Sequence, residues 1–170
     1  MITYKQVIKK GFAFESIIIP KNIKTELKAL TFYPNEDKDL GKEVGWSTLG
    51  MPANLNEFFI EQLYAKVDPY LQKLLDKLET FEAYKTDKNE YVELHTDNAF
   101  GGLVQIMIYY IEKDMKGRDF LYGTKHDIKK VTPYTGLVII CDQINKEWLH
   151  GTTPLLSDTF NLCITGITPR

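Results

Sequence analysis

Three side chains of this sequence have the types and the spacing to share one metal ion. His95 lies where a predicted strand runs into a turn, and Asp97 follows it by two residues. Because residues i and i+2 of a strand point to the same face, the imidazole and the carboxylate should project together. His150 lies at the end of another predicted strand. Two histidines and one carboxylate form a facial triad, which suits Fe(II) and leaves coordination positions open.

Each of these residues also has a simpler interpretation. The sequence contains three histidines, and the His-x-Asp spacing alone is a weak motif. His95 could be a surface or capping residue, and Asp97 could simply open a turn. His150 could be a turn residue before a glycine. The third histidine, His126, lies in a charged stretch, where we expect solvent exposure, and it is the reserve ligand.

The second half of the chain must supply the elements that position these residues. Short segments rich in β-branched and aromatic residues are separated there by Gly, Pro, Asn and Asp, a pattern typical of strands. Seven or eight such strands at regular spacing indicate a sandwich or a barrel. The predicted strands cover residues 81–86, 91–95, 103–111, 119–122, 127–131, 137–141 and 158–167.

The first 80 residues have a different pattern. A β-rich segment over 11–19 ends at a proline, and helices are predicted over 22–30 and from Asn54 to Lys66. Asp68 followed by proline predicts the start of another helix. The turn-rich residues 34–53 form a long loop, which makes their Trp46 a candidate substrate-binding wall, although packing is the commoner role for tryptophan.

The length, charge and composition of the chain argue against several classes of function. The chain has 170 residues and a formal net charge of −2, which suits one domain over residues 1–170 and argues against nucleic-acid or membrane binding. The two cysteines lack metal-site spacing, and no apolar run reaches the ~20 residues of a membrane span. We expect a cytoplasmic monomer, or a homodimer paired through an edge strand at 2–8 or 11–19.

The sequence resembles the Fe(II)/2-oxoglutarate-dependent dioxygenases, particularly the prolyl-hydroxylase type. Motifs similar to those of the family occur in the family's order over about half the chain. They are residues 91–98 (YVELHTDN), 106–111 (IMIYYI), 116–123 (KGRDFLYG), 131–141 (VTPYTGLVIIC) and 150–154 (HGTTP). The resemblance implies an α+β, mainly β fold: a double-stranded β-helix, or jelly roll. Its core would occupy residues 80–170, and residues 1–80 would add supporting helices and a loop.

The resemblance also implies roles for five residues. His95, Asp97 and His150 would hold Fe(II). Tyr110 falls on the family tyrosine that donates a hydrogen bond to the far carboxylate of 2-oxoglutarate, and Tyr84 is near a second tyrosine of the cosubstrate pocket. A phenol suits this position because it donates to a carboxylate while its ring excludes water.

The sequence departs from the family at the cation that pairs with this carboxylate. The family places an Arg or Lys nine or ten residues after the distal histidine, and here those positions hold Thr159 and Phe160. A buried dicarboxylate without a cation is costly, and arginine is the usual partner. Another residue must supply the charge, or the cosubstrate differs.

Arg118, at the start of the strand after the Tyr110 strand, is the first candidate for the missing cation. Arg170 and Lys113 are weaker candidates. A cosubstrate site that uses tyrosine, Thr159 and Asn161 without a cation is also conceivable.

The resemblance implies an oxidoreductase, a dioxygenase that uses Fe(II), 2-oxoglutarate and O₂ to hydroxylate a C–H bond. Because Asp97 fills the position that related halogenases leave to chloride, hydroxylation is preferred. The substrate would be an amino acid, a peptidyl side chain or a small metabolite. Two alternatives stay open: an Fe(II) oxygenase that does not use 2-oxoglutarate, and a non-catalytic metal-binding jelly-roll module.

Overall fold

Two antiparallel β-sheets pack face to face in the computed structural model, which describes residues 1–34, 45–96 and 101–169. The large sheet has the spatial order β1 (Phe12–Ser16), β8 (Leu137–Asp142), β5 (Val104–Ile111), β10 (Asn161–Ile167), β4 (Glu82–Lys85), β3 (Trp46–Ser47), β2 (Tyr33–Pro34). The small sheet has the order β7 (Asp127–Val131), β6 (Phe120–Thr124), β9 (Leu149–Thr152). From β5 onward the chain crosses repeatedly between the sheets, since β5, β8 and β10 belong to the large sheet and β6, β7 and β9 to the small one, as in a double-stranded β-helix. The predicted mainly β fold is therefore confirmed.

Six of the seven strands predicted after residue 80 are present with small shifts of their ends. The exception is the segment over 91–95, which forms a single bridge between His95 and His150 instead of a continuous strand. Val92 in this segment is still hydrogen-bonded to the small sheet, because its carbonyl accepts from the Thr152 amide at 2.9 Å. The segment therefore extends the edge of the small sheet beyond β9.

Four helices cover the outer face of the large sheet: α1 (Tyr4–Lys10), α2 (Lys21–Lys28), α3 (Ala53–Tyr64) and α4 (Pro69–Leu75). Their buried side chains, such as Leu27, Phe59 and Leu71, join Ile108 and Ile164 of the sheet in one core. Burying such apolar side chains is the main stabilising term of the fold. None of the helices in the described ranges is long and apolar enough to cross a membrane.

The N-terminal helices explain one wrong expectation. An edge strand over residues 2–8 does not form, because Thr3 and Gln6 make a capping box that starts α1. The β-rich segment after α1 does form β1, at the outer edge of the large sheet. The predicted start of α4 is confirmed: the Asp68 carboxylate accepts from the Leu71 amide at 2.9 Å. Residues 35–44 of the expected long loop lie outside the described residues.

Strand β5 divides the interior into two regions. Its even-numbered residues Ile106, Ile108 and Tyr110 pack on the helix side, whereas Met107 and Tyr109 point between the two sheets. The space between the sheets is therefore separate from the helix-side core, and it holds the candidate site.

Candidate functional site

A cavity of about 430 Å³ opens between the two sheets. A pocket of this size is within the usual range for small-molecule sites, roughly 300–1,000 Å³. Both sheets and the 91–95 segment contribute polar side chains to its wall. The residues that matter most for chemistry are His95, His150, Arg118, Tyr84, Tyr109 and Glu82.

His95 and His150 meet in this cavity through their backbones. The amide of His95 donates to the carbonyl of His150 at 2.9 Å, and the amide of His150 donates back at 3.0 Å. This reciprocal pair fixes the two residues opposite each other, as in an antiparallel ladder. Their ring centroids are 4.6 Å apart. Phe120 stacks against the His150 ring, with centroids 6.0 Å apart.

The ring of His95 is oriented by its own segment. Its Nδ1 lies 2.7 Å from the carbonyl oxygen of Glu93. Because a carbonyl oxygen can only accept, Nδ1 carries the proton, and Nε2 is the nitrogen that could bind a metal. Metal-binding histidines usually donate their other ring N–H to an oxygen in this way. The arrangement of the two imidazoles therefore fits a divalent metal.

The expected third ligand, Asp97, lies outside the described residues, and its role stays a prediction. Within residues 1–34, 45–96 and 101–169, no three His, Cys, Asp or Glu side chains are grouped to hold a metal. The reserve ligand His126 is exposed in the turn between β6 and β7, and it does not line the cavity.

Arg118 enters the same cavity from the turn that precedes β6. Its side chain is only 4% exposed, and its Nη1 donates to the hydroxyl of Thr152 at 2.8 Å. Its backbone has a positive φ of 62°. The preceding Gly117 has a φ of 75°, and a Cβ there would lie 2.1 Å from the carbonyl oxygen of Pro154. Glycine is therefore required at 117 for the chain to turn tightly into β6 beside β9.

The charge of Arg118 is incompletely compensated. Its Nε is buried and has no hydrogen-bond partner among the described residues, which also provide no carboxylate in an ion pair with it. A buried guanidinium in this state is unfavourable unless an anion pairs with it. Of the three candidate cations, Arg118 lines the cavity, Lys113 is exposed, and Arg170 lies outside the described residues.

Tyr109, not Tyr110, faces the cavity, so the expectation for Tyr110 is wrong. The Tyr110 ring lies on the helix side of the sheet, with its centroid 6.0 Å from that of Phe160. Tyr109 lies beside the Cys163 thiol, and burial is the main cause that raises its pKa well above the usual 10.0, while the Arg118 charge opposes the rise. The Tyr109 phenol therefore stays protonated at neutral pH and can donate a hydrogen bond.

The other three expected cosubstrate residues have different positions. Tyr84 lines the cavity, and its O–H donates to the carboxylate of Glu82 at 2.8 Å. The Thr159 hydroxyl donates to that of Ser157 at 2.8 Å, away from the cavity wall. Asn161 is buried, and its amide nitrogen donates to the carbonyls of Thr86 and Thr159. The cation-free site with Thr159 and Asn161 is therefore not formed.

Trp46 lines the cavity, and its role as a substrate-binding wall stays a prediction. Its indole N–H donates to the carboxylate of Asp87 at 2.7 Å. The ammonium of Lys85 lies 5.0 Å from the centroid of the Trp46 ring and 5.7 Å from that of Phe32. These contacts hold the tryptophan at the side of the cavity formed by β3 and β4.

Two polar residues of the cavity were missed from the sequence although a signal was present. Thr152 follows His150 by two residues, and Glu82 precedes Tyr84 by two residues. Because alternate residues of a strand share a face, each should lie beside its partner. The same rule places Cys163 and Thr165 together on β10.

Comparisons with known proteins identify the fold. No protein-family model matches the chain, and no curated protein matches it. Many solved structures match the chain, and several align over nearly its whole length. A prolyl-4-hydroxylase from Pseudomonas putida is 14% identical, with a TM-score of 0.75 over 98% of this chain and 96% of its own. HygX from Streptomyces hygroscopicus, solved with nickel and 2-oxoglutarate, is also 14% identical, with a TM-score of 0.67 over 99% of this chain and 88% of its own.

A third structure is an oxidoreductase of the 2OG-Fe(II) oxygenase family from Burkholderia pseudomallei. It is 11% identical, with a TM-score of 0.64 over 96% of this chain and 88% of its own. Sequence identities this low establish the fold and not the activity. The resemblance found in the sequence is thus confirmed at the level of structure: the chain has the double-stranded β-helix fold of the 2-oxoglutarate- and Fe(II)-dependent oxygenases.

Proposed function

We propose that this protein is a non-haem Fe(II)/2-oxoglutarate-dependent oxygenase that hydroxylates a C–H bond of a small or peptidyl substrate. The observation that carries the proposal is the convergence of three side chains on one cavity. The paired imidazoles of His95 and His150 form one part of it, and the buried guanidinium of Arg118 forms the other.

The metal site would consist of His95 and His150 together with Asp97. The backbone pairing fixes the two histidines opposite each other, and the bond from His95 to the Glu93 carbonyl orients the His95 ring before any metal binds. Iron held there would supply, with 2-oxoglutarate and O₂, the oxidising chemistry that a protein side chain lacks. The chain itself contributes the geometry and the shielding.

Arg118 would bind the far carboxylate of 2-oxoglutarate. Its buried position and its incompletely satisfied donors suit an anion, and Thr152 holds one side of the guanidinium in place. The protonated phenol of Tyr109 is a second donor on the opposite wall. Charge-assisted bonds of this kind are stronger than neutral ones. The missing cation after His150 would thus be replaced from another strand.

Apolar side chains would keep water away from the reacting centre. Met107 is 4% exposed and Phe120 is 1% exposed, and both line the cavity between the sheets. A dry wall strengthens the electrostatic interactions of Arg118 and protects reactive species from side reactions.

The structural neighbours favour neither substrate class. A prolyl hydroxylase from Trichoplax adhaerens was solved with a peptide fragment, and HygX was solved with hygromycin B. We therefore propose a substrate from the range of amino acids, peptides and small metabolites.

Anaerobic binding of Fe(II) and 2-oxoglutarate tests this function. Both ligands bound at one centre should give a visible metal-to-ligand charge-transfer band. Iron binding without this band would overturn the role of 2-oxoglutarate and indicate an Fe(II) oxygenase of another kind. Absence of iron binding in wild type, or binding by His95→Ala and His150→Ala that is unchanged from wild type, would overturn both oxygenase functions and leave a non-catalytic module.

A further inference from the structure

We propose that Glu82 binds a positively charged amine of the substrate, so that the substrate is a small molecule with a protonated amino group. This inference rests on the proposed function, which it deepens by naming the chemical class of the substrate. Four observations carry it: the position of Glu82 in the sheet, the lack of a cation beside it, its orientation by Tyr84, and the polar side chains next to it.

The register of the large sheet puts Glu82 and Arg118 at different levels of the cavity. Tyr84 pairs with Cys163, which pairs with Tyr109, and the charge of Arg118 acts on the Tyr109 phenol. Glu82 lies in the next row toward the β10 C-terminus, opposite Thr165. A two-residue step along a strand is about 7 Å. The cavity therefore has a basic level and a separate acidic level.

A carboxylate has no evident use for the cosubstrate. 2-Oxoglutarate carries two negative charges, and a like charge beside them would weaken its binding. Glu82 nonetheless lines the cavity, where its side chain is half-buried. It is the one carboxylate among the described lining residues. A different ligand, with the opposite charge, fits this position.

The protein does not neutralise Glu82 itself. None of the lysines, arginines and histidines in the described ranges forms an ion pair with it. Lys85 is the nearest lysine along β4, but its ammonium is engaged by the rings of Phe32 and Trp46 and lies 4.0 Å from the Asp87 carboxylate. Lys85 also lines the cavity, but these contacts direct its ammonium toward Trp46 and Phe32 and not toward Glu82.

The Glu82 carboxylate is oriented but not saturated. One of its oxygens accepts from the Tyr84 O–H at 2.8 Å, which restricts the side chain to one direction. A carboxylate has about four lone-pair sites, so it can accept further donors. A primary ammonium provides three donors and suits this arrangement.

Neutral polar side chains line the cavity next to Glu82. Thr165 lies opposite Glu82, and its hydroxyl accepts from the amide nitrogen of Gln105 at 3.3 Å. The oxygen of that amide accepts from Gln143 at 3.2 Å. These contacts fix hydroxyl and amide groups next to the carboxylate, where they can accept from the remaining N–H groups of an ammonium. The cavity of about 430 Å³ must also hold the cosubstrate, so the amine belongs to a small molecule such as a free amino acid.

Binding of amines to the anaerobic protein loaded with Fe(II) and 2-oxoglutarate tests this inference. The probes are butylamine and the free protein amino acids, each amino acid compared with its N-acetyl form, and binding is measured by calorimetry. We expect saturable binding of at least one free amine, with its N-acetylated counterpart bound at least about tenfold more weakly, the cost of one charge-assisted bond.

Glu82→Gln keeps the shape and the acceptor for Tyr84 but removes the charge. It should weaken binding of that amine at least about tenfold, whereas Glu57→Gln on the exposed face of α3 should have no effect. Glu82→Lys places a cation at the site and should abolish binding. Failure of every amine to bind, or equal binding by wild type and Glu82→Gln, would overturn the inference.

The charge-transfer band separates this inference from the proposed function. A normal band in wild type and in Glu82→Gln, without amine binding, would overturn the substrate class and keep the oxygenase. Amine binding that depends on Glu82 in a protein without the band would overturn the 2-oxoglutarate function and keep the amine site. Thermal unfolding of each variant confirms that the fold is intact.

Discussion

Arg118, two residues before β6, is joined to Thr152 at the end of β9 by a 2.8 Å hydrogen bond. Thr152 follows His150 by two residues and shares its face of the strand. The Thr152 hydroxyl also accepts from the Val92 amide at 2.9 Å, so it links Arg118 to the segment that carries His95. The anion-binding group and both histidines are thus held by one hydrogen-bonded unit.

Substitution of Arg118 tests its role in binding the cosubstrate. Arg118→Met should raise the Kd for 2-oxoglutarate by about 10- to 100-fold, because a charge-assisted pair is lost. A titration of the charge-transfer band measures this Kd. Arg118→Lys should restore part of the affinity, since it returns the charge without the planar donors. An unchanged Kd in Arg118→Met would assign the carboxylate to another cation.

The two histidines can be tested by iron content. His95→Ala and His150→Ala should each abolish stoichiometric Fe(II) binding, because each removes one of the proposed ligands. The matched control is His126→Ala, which changes an exposed residue in the β6–β7 turn. Equal loss of iron in the control would show that the binding is nonspecific.

Tyr109 and Tyr110 provide a comparison of adjacent positions. Tyr109→Phe should raise the Kd for 2-oxoglutarate by about tenfold or more, because it removes a hydrogen bond to a charged carboxylate, worth about 1.5–3 kcal/mol. Tyr110→Phe, on the helix side of the sheet, should leave this Kd unchanged. The reverse result would mean that the cosubstrate does not occupy the space between the sheets.

The raised pKa of Tyr109 predicts a pH effect on stability. The unfolded chain loses the phenolic proton near pH 10.0, while the folded protein retains it because burial raises the pKa. The unfolded state is therefore favoured as the pH rises above 10.0, so this contribution to stability is present below that pH and is lost above it. The Tm of wild type should fall more steeply there than that of Tyr109→Phe. Parallel curves would contradict the burial of an ionisable phenol.

Alanine substitutions at Gly117 and Gly101 distinguish the cost of a steric clash from the cost of backbone strain. Both have positive φ angles, 75° and 70°, but a Cβ at 117 meets the Pro154 carbonyl oxygen at 2.1 Å, whereas a Cβ at 101 meets nothing within 4 Å. Gly101→Ala should lower the free energy of unfolding by about 1 kcal/mol, the cost of the strained conformation alone. Gly117→Ala should cost clearly more, and it should also weaken 2-oxoglutarate binding by displacing Arg118. Denaturant unfolding measures both variants.

The fold was predictable because its strands are short, separated by strong turn residues, and carry motifs in the order of one family. The sequence does not show which residues of β5 face the cavity, because almost all the residues on both faces of this strand are buried and apolar. No alternation of polar and apolar residues could show whether Tyr109 or Tyr110 faces the cavity. The register with Cys163 on β10 decides it, and such a pairing between distant segments is not visible in a sequence.

Arg118 could be named from the sequence as a candidate, but not distinguished from a surface residue. The segment before it has no apolar pattern that predicts burial. Its burial follows from the tight turn at Gly117, which brings the chain against Pro154. Helix α1 was missed for a related reason: its start depends on the contact between Thr3 and Gln6, a local signal within a mostly polar sequence.

The isolated bridge between His95 and His150 allows metal binding at the proposed centre to be measured through the stability of two backbone hydrogen bonds. A ligand that binds only the arrangement with both rings together must also stabilise the two backbone hydrogen bonds beneath them. The amides of His95 and His150 donate those bonds, and the segment around His95 has no continuous ladder to protect it. Hydrogen exchange at these two amides should therefore slow by a factor of about 1 + [metal]/Kd, so that metal affinity can be measured at the backbone without any turnover.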